Sequence, residues 1–206
     1  MTNDLRRTSP SVGRNRDAIL AVLLPLLPTR GLVLEIASGS GEHLVHFAQA
    51  ASRDLVFQPT DPDADARASI DAWVTSLGLT QIRPALALDA TADLWPIQHA
   101  GVVLCINMIH IAPWAATTGL MRGAAQVLPT GGKLFMYGPY RRDGQHTAPS
   151  NAAFDQDLRA RNPTWGIRDL EAVTALAAAA GFNPPFVEPM PANNFSLAFT
   201  RSDNAA

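Results

Sequence analysis

Apolar positions along this chain fall into two rhythms. Short, nearly uninterrupted apolar runs at residues 32–37, 55–58, 85–88, 102–109, 133–137, 186–188 and 195–200 predict seven strands. Between them, helical spacing appears at residues 15–27, through Ile19, Leu20, Leu23 and Leu24, and again at 42–51, 63–77, 114–128 and 168–180. Proline and glycine punctuate these segments: Pro28 and Gly31 follow the first helix, Pro129 with Gly131 and Gly132 the fourth, and Gly181 the last. Strands that alternate with helices predict an α/β architecture, a doubly wound and mostly parallel seven-stranded sheet with helices on both faces. In such a sheet ligands lie at the carboxyl ends of the strands, near the point where strand order reverses. The chain reads as a single domain over residues 1–206, with 1–13 expected to be flexible. Residues 138–166 carry no clear periodicity and are expected to form a substrate-side loop or lid.

Composition narrows the classes. The 206 residues are 47% hydrophobic and 17% charged, enough to fill a sizeable core. A net charge of -2 with scattered arginines gives no electrostatic footprint for a nucleic-acid backbone, so no nucleic-acid partner is expected. The single cysteine, Cys105, sits in an apolar run, which excludes a disulfide framework and a cysteine metal site and predicts a buried thiol. Residues 1–16 are polar and lack a signal core, and the Arg6-Arg7 pair is not followed by an export-type apolar segment. With no apolar run of the roughly 18 residues needed to span a bilayer, the expectation is a cytoplasmic protein without a membrane partner.

The chemistry concentrates where the first strand ends, in Leu34-Glu35-Ile36-Ala37-Ser38-Gly39-Ser40-Gly41-Glu42-His43. A backbone turning under a nucleoside needs residues without bulk, which Gly39, Ser40 and Gly41 supply. Leu44 stands where a dinucleotide fingerprint has its third glycine, and no Gly-Lys-Ser/Thr triplet follows, so NAD and ATP are disfavoured. Glu35 inside the strand suits a ligand with a cationic end, such as S-adenosylmethionine. Asp61, closing the second strand, is placed to accept from both ribose hydroxyls, the alternative being that Asp61 or Asp63 caps the next helix. Asp89 and Ala90 end the third strand, where a carboxylate reads the adenine amino group. Asn107, Met108 and His110 end the fourth, with His110 either a general base or a structural histidine. His43 and His46 lie three residues apart on one helix, read as a solvated face because no third ligand joins them into a metal site. Ala37 and Gly39 occupy the positions that a Gly-x-Ser-x-Gly elbow would fill otherwise, which argues against a serine hydrolase.

These blocks, together with Arg14-Asn15-Arg16, Gln58-Pro59-Thr60-Asp61, Asn107 to Trp114, Tyr137-Gly138-Pro139-Tyr140, Ser150-Asn151, Phe154-Asp155, Trp165-Gly166, Arg168-Asp169 and Met190 to Asn194, resemble the class I S-adenosylmethionine-dependent methyltransferases. Within them the sequence is most similar to the methyltransferase-like protein 26 family. The resemblance implies a Rossmann-like fold that binds S-adenosylmethionine through Glu35, the turn from Ala37 through Gly39 to Gly41, Asp61, Asp89, Ala90, Asn107 and Met108. Arg14 and Asn15 are its candidates for the cofactor's carboxylate end. Tyr140 is expected to orient a nucleophile, and Asn151, Phe154, Asp155, Trp165 and Arg168 to wall a small-molecule pocket, the alternatives being that Trp165 is loop packing and Arg168 a salt-bridge partner. The expected activity is in-line methyl transfer to N, O or S of a small molecule by a monomer or homodimer, without a metal. The alternative in another class is a non-catalytic adenosylmethionine-binding regulatory protein.

Overall fold

A computed structural model describes residues 4–203. Eight strands and six α-helices are seen among them: α1 (Pro10–Leu23), β1 (Gly31–Ile36), α2 (Glu42–Ala50), β2 (Leu55–Pro59), α3 (Ala64–Leu77), β3 (Val102–Ile106), α4 (Trp114–Val127), β4 (Lys133–Arg142), β5 (Gln145–His146), α5 (Pro149–Arg161), β6 (Arg168–Asp169), α6 (Leu170–Ala179), β7 (Phe186–Met190) and β8 (Asn194–Thr200). The sheet runs β2-β1-β3-β4-β8-β7, with β5 and β6 paired to the far end of β4. Strands β2, β1, β3 and β4 are parallel, whereas β8 is antiparallel to both β4 and β7, so the sheet is mixed.

Both faces are covered, which is why the central strands read as continuous apolar runs. On one face α1, α2 and α3 pack Ile19, Leu23, Leu44, Phe47 and Ile70 onto Val33, Phe57, Val102 and Leu104. On the other, α4 and α6 bring Leu120, Met121, Leu170 and Val173 against Leu34, Ile36, Val103 and Cys105. Each fully buried Leu, Ile or Phe contributes about 1.5–3 kcal/mol to this core. Cys105 is a buried free thiol, as its apolar run predicts.

The structure departs from the sequence reading in four places. The strand expected at 85–88 is reduced to two isolated parallel bridges beside β2, Phe57 with Ile82 and Thr60 with Leu86. Pro84 has no N–H for a ladder, and side chains take over: Gln58 Nε2 donates to the Pro84 carbonyl (2.9 Å) and the Ala85 N–H donates to Asp71 Oδ1 (2.9 Å). The run expected to continue to residue 109 stops at Ile106, because Asn107 adopts φ 62° and turns the chain into a short 3-10 segment, Met108–His110. The expected loop at 138–166 is ordered secondary structure: β4 extends to Arg142, β5 folds back on it, and α5 begins at Pro149, pre-set for a first helical position. Helix α5 buries only Asn151, Asp155 and Leu158, too thin a stripe to register as an apolar period.

The chain start differs too. Helix α1 begins at Pro10, and residues 4–9, within the span expected to be flexible, lie against α3. The Arg7 N–H donates to Ser69 Oγ (2.8 Å), Trp73 Nε1 donates to the Arg7 carbonyl (2.9 Å), and the Arg6 guanidinium lies 5.0 Å from the Trp73 ring centre. Residues 1–3 of that expected flexible span lie outside the described residues.

Candidate functional site

Register places the chemistry at one edge. Glu35 of β1 is paired with Pro59 of β2 on one side and Leu104 of β3 on the other, so the turn after β1, Asp61 and Asn107 meet at the carboxyl ends of neighbouring strands. The turn is held in left-handed backbone: Ala37 at φ 57°, Gly39 at 58° and Gly41 at 88°. For Ala37 that conformation costs about 1–2 kcal/mol relative to glycine, and such strain collects where function over-determines the backbone. Gly41 serves close packing, since a Cβ there would stand 2.9 Å from the Ile70 Cα. Gly39 is the opposite case, with nothing within 4 Å of where its Cβ would be. Its face is open to a ligand.

Asp61 braces this turn. Its Oδ2 accepts from the Gly39 N–H (2.9 Å) and its Oδ1 from the Asp63 N–H (2.9 Å), leaving further lone pairs on a carboxylate that is 7% exposed. Asp63 caps α3 by accepting from the Asp65 N–H, so of the two aspartates it is Asp63 that caps the helix, while Asp61 braces the turn. Glu35 is 2% exposed and its Oε2 has no hydrogen-bond partner. Burial pushes its carboxyl up to about 7, the Asp61 charge adds to the rise, and the Ser38 hydrogen bond opposes it. A buried acid with one oxygen left unpartnered is the kind of group that a cationic ligand would complement.

Asp89 is exposed and its Oδ1 accepts from the N–H and hydroxyl of Thr91 (both 2.8 Å), while Ala90 is buried against α4 at Gly119. Met108 and His110 are buried at the end of β3. Arg14 and Asn15 reach the same edge from α1, and there the solvated face expected for the two histidines is corrected. His43 is covered by α1 and donates through Nε2 to Asn15 Oδ1 (2.8 Å), and burial lowers its imidazole to about 4. His46 Nε2 pairs with Asp17 Oδ1 at 2.9 Å. No group of three metal-ligating side chains occurs among the described residues.

A cavity of about 400 Å³ opens beside Asn107, walled by α1, the end of β4, α5 and the turn before β8. It gathers Arg14, Asn15, Asn107, His110, Asn151 and Phe154 of the expected residues. Its other walls include Ser11, Ile111, Tyr137, Pro139, Ala192 and Asn194, none of which the sequence reading assigned a role. Strand alternation carries the signal for one of them. Tyr137 and Tyr140 are an odd number of residues apart on β4 and so face opposite sides of the sheet. Tyr137 meets the cavity, and burial raises its phenol with Asn15 opposing. Tyr140 is fully buried in the core of the other face, its hydroxyl without a partner and its ring edge-on to His110 at 5.1 Å between centroids. It does not reach an acceptor there.

The remaining pocket candidates are structural. Arg168 donates to the carbonyls of Ile109 (2.9 Å), Ala112 (2.6 Å) and Thr164 (2.8 Å), clamping the 3-10 segment, so its guanidinium is already engaged instead of receiving a ligand anion. Asp155 accepts from Arg159 (2.8 Å) and the Ile167 N–H (2.6 Å), with His146 also beside it. Trp165 packs under the Arg161 guanidinium, 5.2 Å from its ring centre. None of these three lines the cavity. Of the charged groups along the wall, Arg14 makes no ion pair or side-chain hydrogen bond among the described residues. Asn151 both lines the cavity and fastens it, donating to the Asn193 carbonyl at 3.0 Å.

His110 has a defined protonation pattern. Its Nδ1 accepts from the Arg168 N–H (3.4 Å), which leaves the proton of the neutral ring on Nε2. Burial lowers the imidazole to about 3, with the Arg168 charge in the same direction, so the ring stays neutral. Nε2 has no protein partner. It rests against Gly138, where any Cβ would collide with it.

The strand order, with the left-handed turn after β1 braced by Asp61 two residues past β2, defines a doubly wound α/β protein with a crevice at the strands' carboxyl ends. The chain matches, over residues 6–201, the family described as protein of unknown function DUF938, and it belongs to that family. Among solved structures it is similar to the S-adenosylmethionine-dependent methyltransferase SibL in its apo form, with 20% identity, 93% of this chain and 56% of that chain covered, and a TM-score of 0.77. It is also similar to an O-methyltransferase family protein from Burkholderia thailandensis, with 16% identity, 94% and 57% covered, and a TM-score of 0.79. The YcgJ protein of Bacillus subtilis gives 14% identity, 89% and 96% covered, and a TM-score of 0.67. The chain therefore spans a little over half of the first two structures and nearly all of the third. At these identities the likeness is one of fold.

Proposed function

We propose that this protein binds S-adenosylmethionine at the Ala37–Gly41 turn and transfers its methyl group to a small molecule held in the adjoining cavity. The observation that carries the reading is the meeting, at one sheet edge, of an open left-handed turn, a buried aspartate and a buried glutamate with one unpartnered oxygen, beside a cavity of about 400 Å³. The residues present fit the cofactor. The uncovered face of Gly39 leaves room for a nucleoside, Asp61 keeps lone pairs for ribose hydroxyls, and Glu35 offers a carboxyl to a cationic group. Asn15 is the candidate for the carboxylate end, with Arg14 beside it on the cavity wall, and Asn107 and Met108 are the candidates for the backbone wall between cofactor and acceptor. Structural likeness to the methyltransferase SibL and to the O-methyltransferase family protein supports the same reading, as does the resemblance to the methyltransferase-like protein 26 family.

The bound cofactor would supply an activated methyl group on a sulfonium sulfur. The protein's own task is then alignment and exclusion of water, which contribute on the order of 7–11 kcal/mol in the best-oriented cases. No residue of the protein has to activate the methyl group.

Calorimetric titration with S-adenosylmethionine and S-adenosylhomocysteine tests the reading. Saturable binding of both, weakened at least tenfold by Asp61→Ala, is the expected result. Folded protein that binds neither ligand would overturn the reading.

A further inference from the structure

The cavity beside Asn107 shows which acceptors suit it. Among the described residues no carboxylate lines it, its one charged side chain is Arg14, and that guanidinium has no protein partner. At the mouth, Ile111 and Phe154 stand 47% and 42% exposed, two of the large apolar side chains that the fold leaves uncovered, and both face this cavity. Among the described residues the wall also lacks a proton acceptor of the usual kind. Nδ1 of His110 is taken by the Arg168 amide, and Nε2, which then carries the proton, is buried against Gly138. The amide of Asn15 is oriented by His43 Nε2 at its Oδ1. Tyr137 keeps its phenolic proton, because burial disfavours the phenolate.

From this juxtaposition we infer that the acceptor is a small molecule with an apolar body and a nucleophilic atom that is already anionic when it binds, a carboxylate being the simplest case. The inference rests on the methyl-transfer reading and deepens it by naming the substrate class. Arg14 attracts the anionic head while Ile111 and Phe154 take the apolar body. The transfer then balances without a base: the acceptor's oxygen forms the new bond to the methyl carbon, the carbon–sulfur bond breaks with its electron pair going to sulfur, and the negative and positive charges cancel. No proton needs a destination. An amine acceptor, by contrast, arrives as an ammonium ion that meets Arg14 with like charge and finds no group to take its proton.

Three probes of one shape test this on the full chain: 2-naphthoate, 2-naphthol and 2-naphthylmethylammonium, titrated calorimetrically into protein saturated with S-adenosylhomocysteine. The naphthoate is expected to bind at least tenfold more tightly than the ammonium. Arg14→Met is expected to erase that preference, and Phe154→Ala to weaken all three probes alike. The inference is overturned by an ammonium that binds as well as the naphthoate, or by no naphthoate binding at millimolar concentration. It is equally overturned by a naphthoate that displaces S-adenosylhomocysteine, which would assign Arg14 to the cofactor alone. Failure of S-adenosylhomocysteine itself to bind would count against the methyl-transfer reading, and the same probe series on ligand-free protein would still read the cavity's charge preference.

Discussion

Replacing Glu35 with Gln removes a charge that the fold makes costly and leaves the shape of the side chain almost unchanged. In the unfolded chain the carboxyl titrates at its ordinary 4.5, whereas in the folded protein burial, reinforced by Asp61, pushes it up to about 7. A carboxyl whose folded value lies above its unfolded one carries no penalty at pH values below both. The penalty then grows as pH rises through the interval and levels off above the folded value. At roughly 1.4 kcal/mol per unit the full penalty is about 3 kcal/mol, of which about 2–3 kcal/mol develops between about pH 5 and about pH 8. Gln at this position does not titrate. Denaturant unfolding of ligand-free wild type and Glu35→Gln at those two pH values should show the variant gaining on the wild type by that amount at the higher pH. The other carboxylates and histidines are common to both proteins and largely cancel in the difference. A stability difference that stays constant within about 0.5 kcal/mol across the interval would mean that Glu35 ionises in the fold as easily as in the open chain, against the shift that its burial implies.

Three further outcomes follow from the backbone and the clamp. Gly41→Ala combines φ 88° with a Cβ 2.9 Å from Ile70 Cα, and should lower the unfolding free energy by about 2–4 kcal/mol in denaturant titrations. Ala37→Gly relieves φ 57° without removing a long side chain, and should leave stability unchanged or raise it by up to about 1 kcal/mol, the gain being limited by the added freedom of the unfolded chain. Arg168→Met leaves the carbonyls of Ile109, Ala112 and Thr164 without their donor. A loss of about 2–4 kcal/mol is expected, with little rescue by Arg168→Lys because an ammonium cannot present the same fork.

The central sheet was legible because its strands are buried on both faces and read as unbroken apolar runs, and β1, β2, β3 and the start of β4 lie where those runs predict. The strand expected at 85–88 was not a misplaced one. It flanks β2 at its outer edge and keeps backbone hydrogen bonds at its two bridges, but Pro84 and two side-chain hydrogen bonds interrupt the ladder between them, and an apolar run does not report who satisfies its backbone. Segments 138–166 and 4–9 were illegible for the opposite reason. Their order comes from contacts across the chain, such as Arg7 with Ser69 and Trp73, and not from a local period. At the site, the turn, Asp61 and Asn107 follow from their positions at strand ends, whereas Tyr140 and Arg168 illustrate residues whose chemistry invited a role that their burial and hydrogen bonds have already filled.

The Arg168 clamp also divides the molecule's tolerance to change. By tying Ile109 and Ala112 to Thr164 it fixes the His110 segment from behind, independently of what side chains project from α5 or the turn before β8. Phe154 and Ala192 belong to that outer wall, and neither is part of the Ala37–Gly41 turn or of Asp61. One half of the crevice is thereby held rigid while the other is free to drift. A lineage, or a laboratory selection, can resize the wall in small steps at residues 154 and 192 without rebuilding the strand ends, so changes in acceptor range are predicted to accumulate there first.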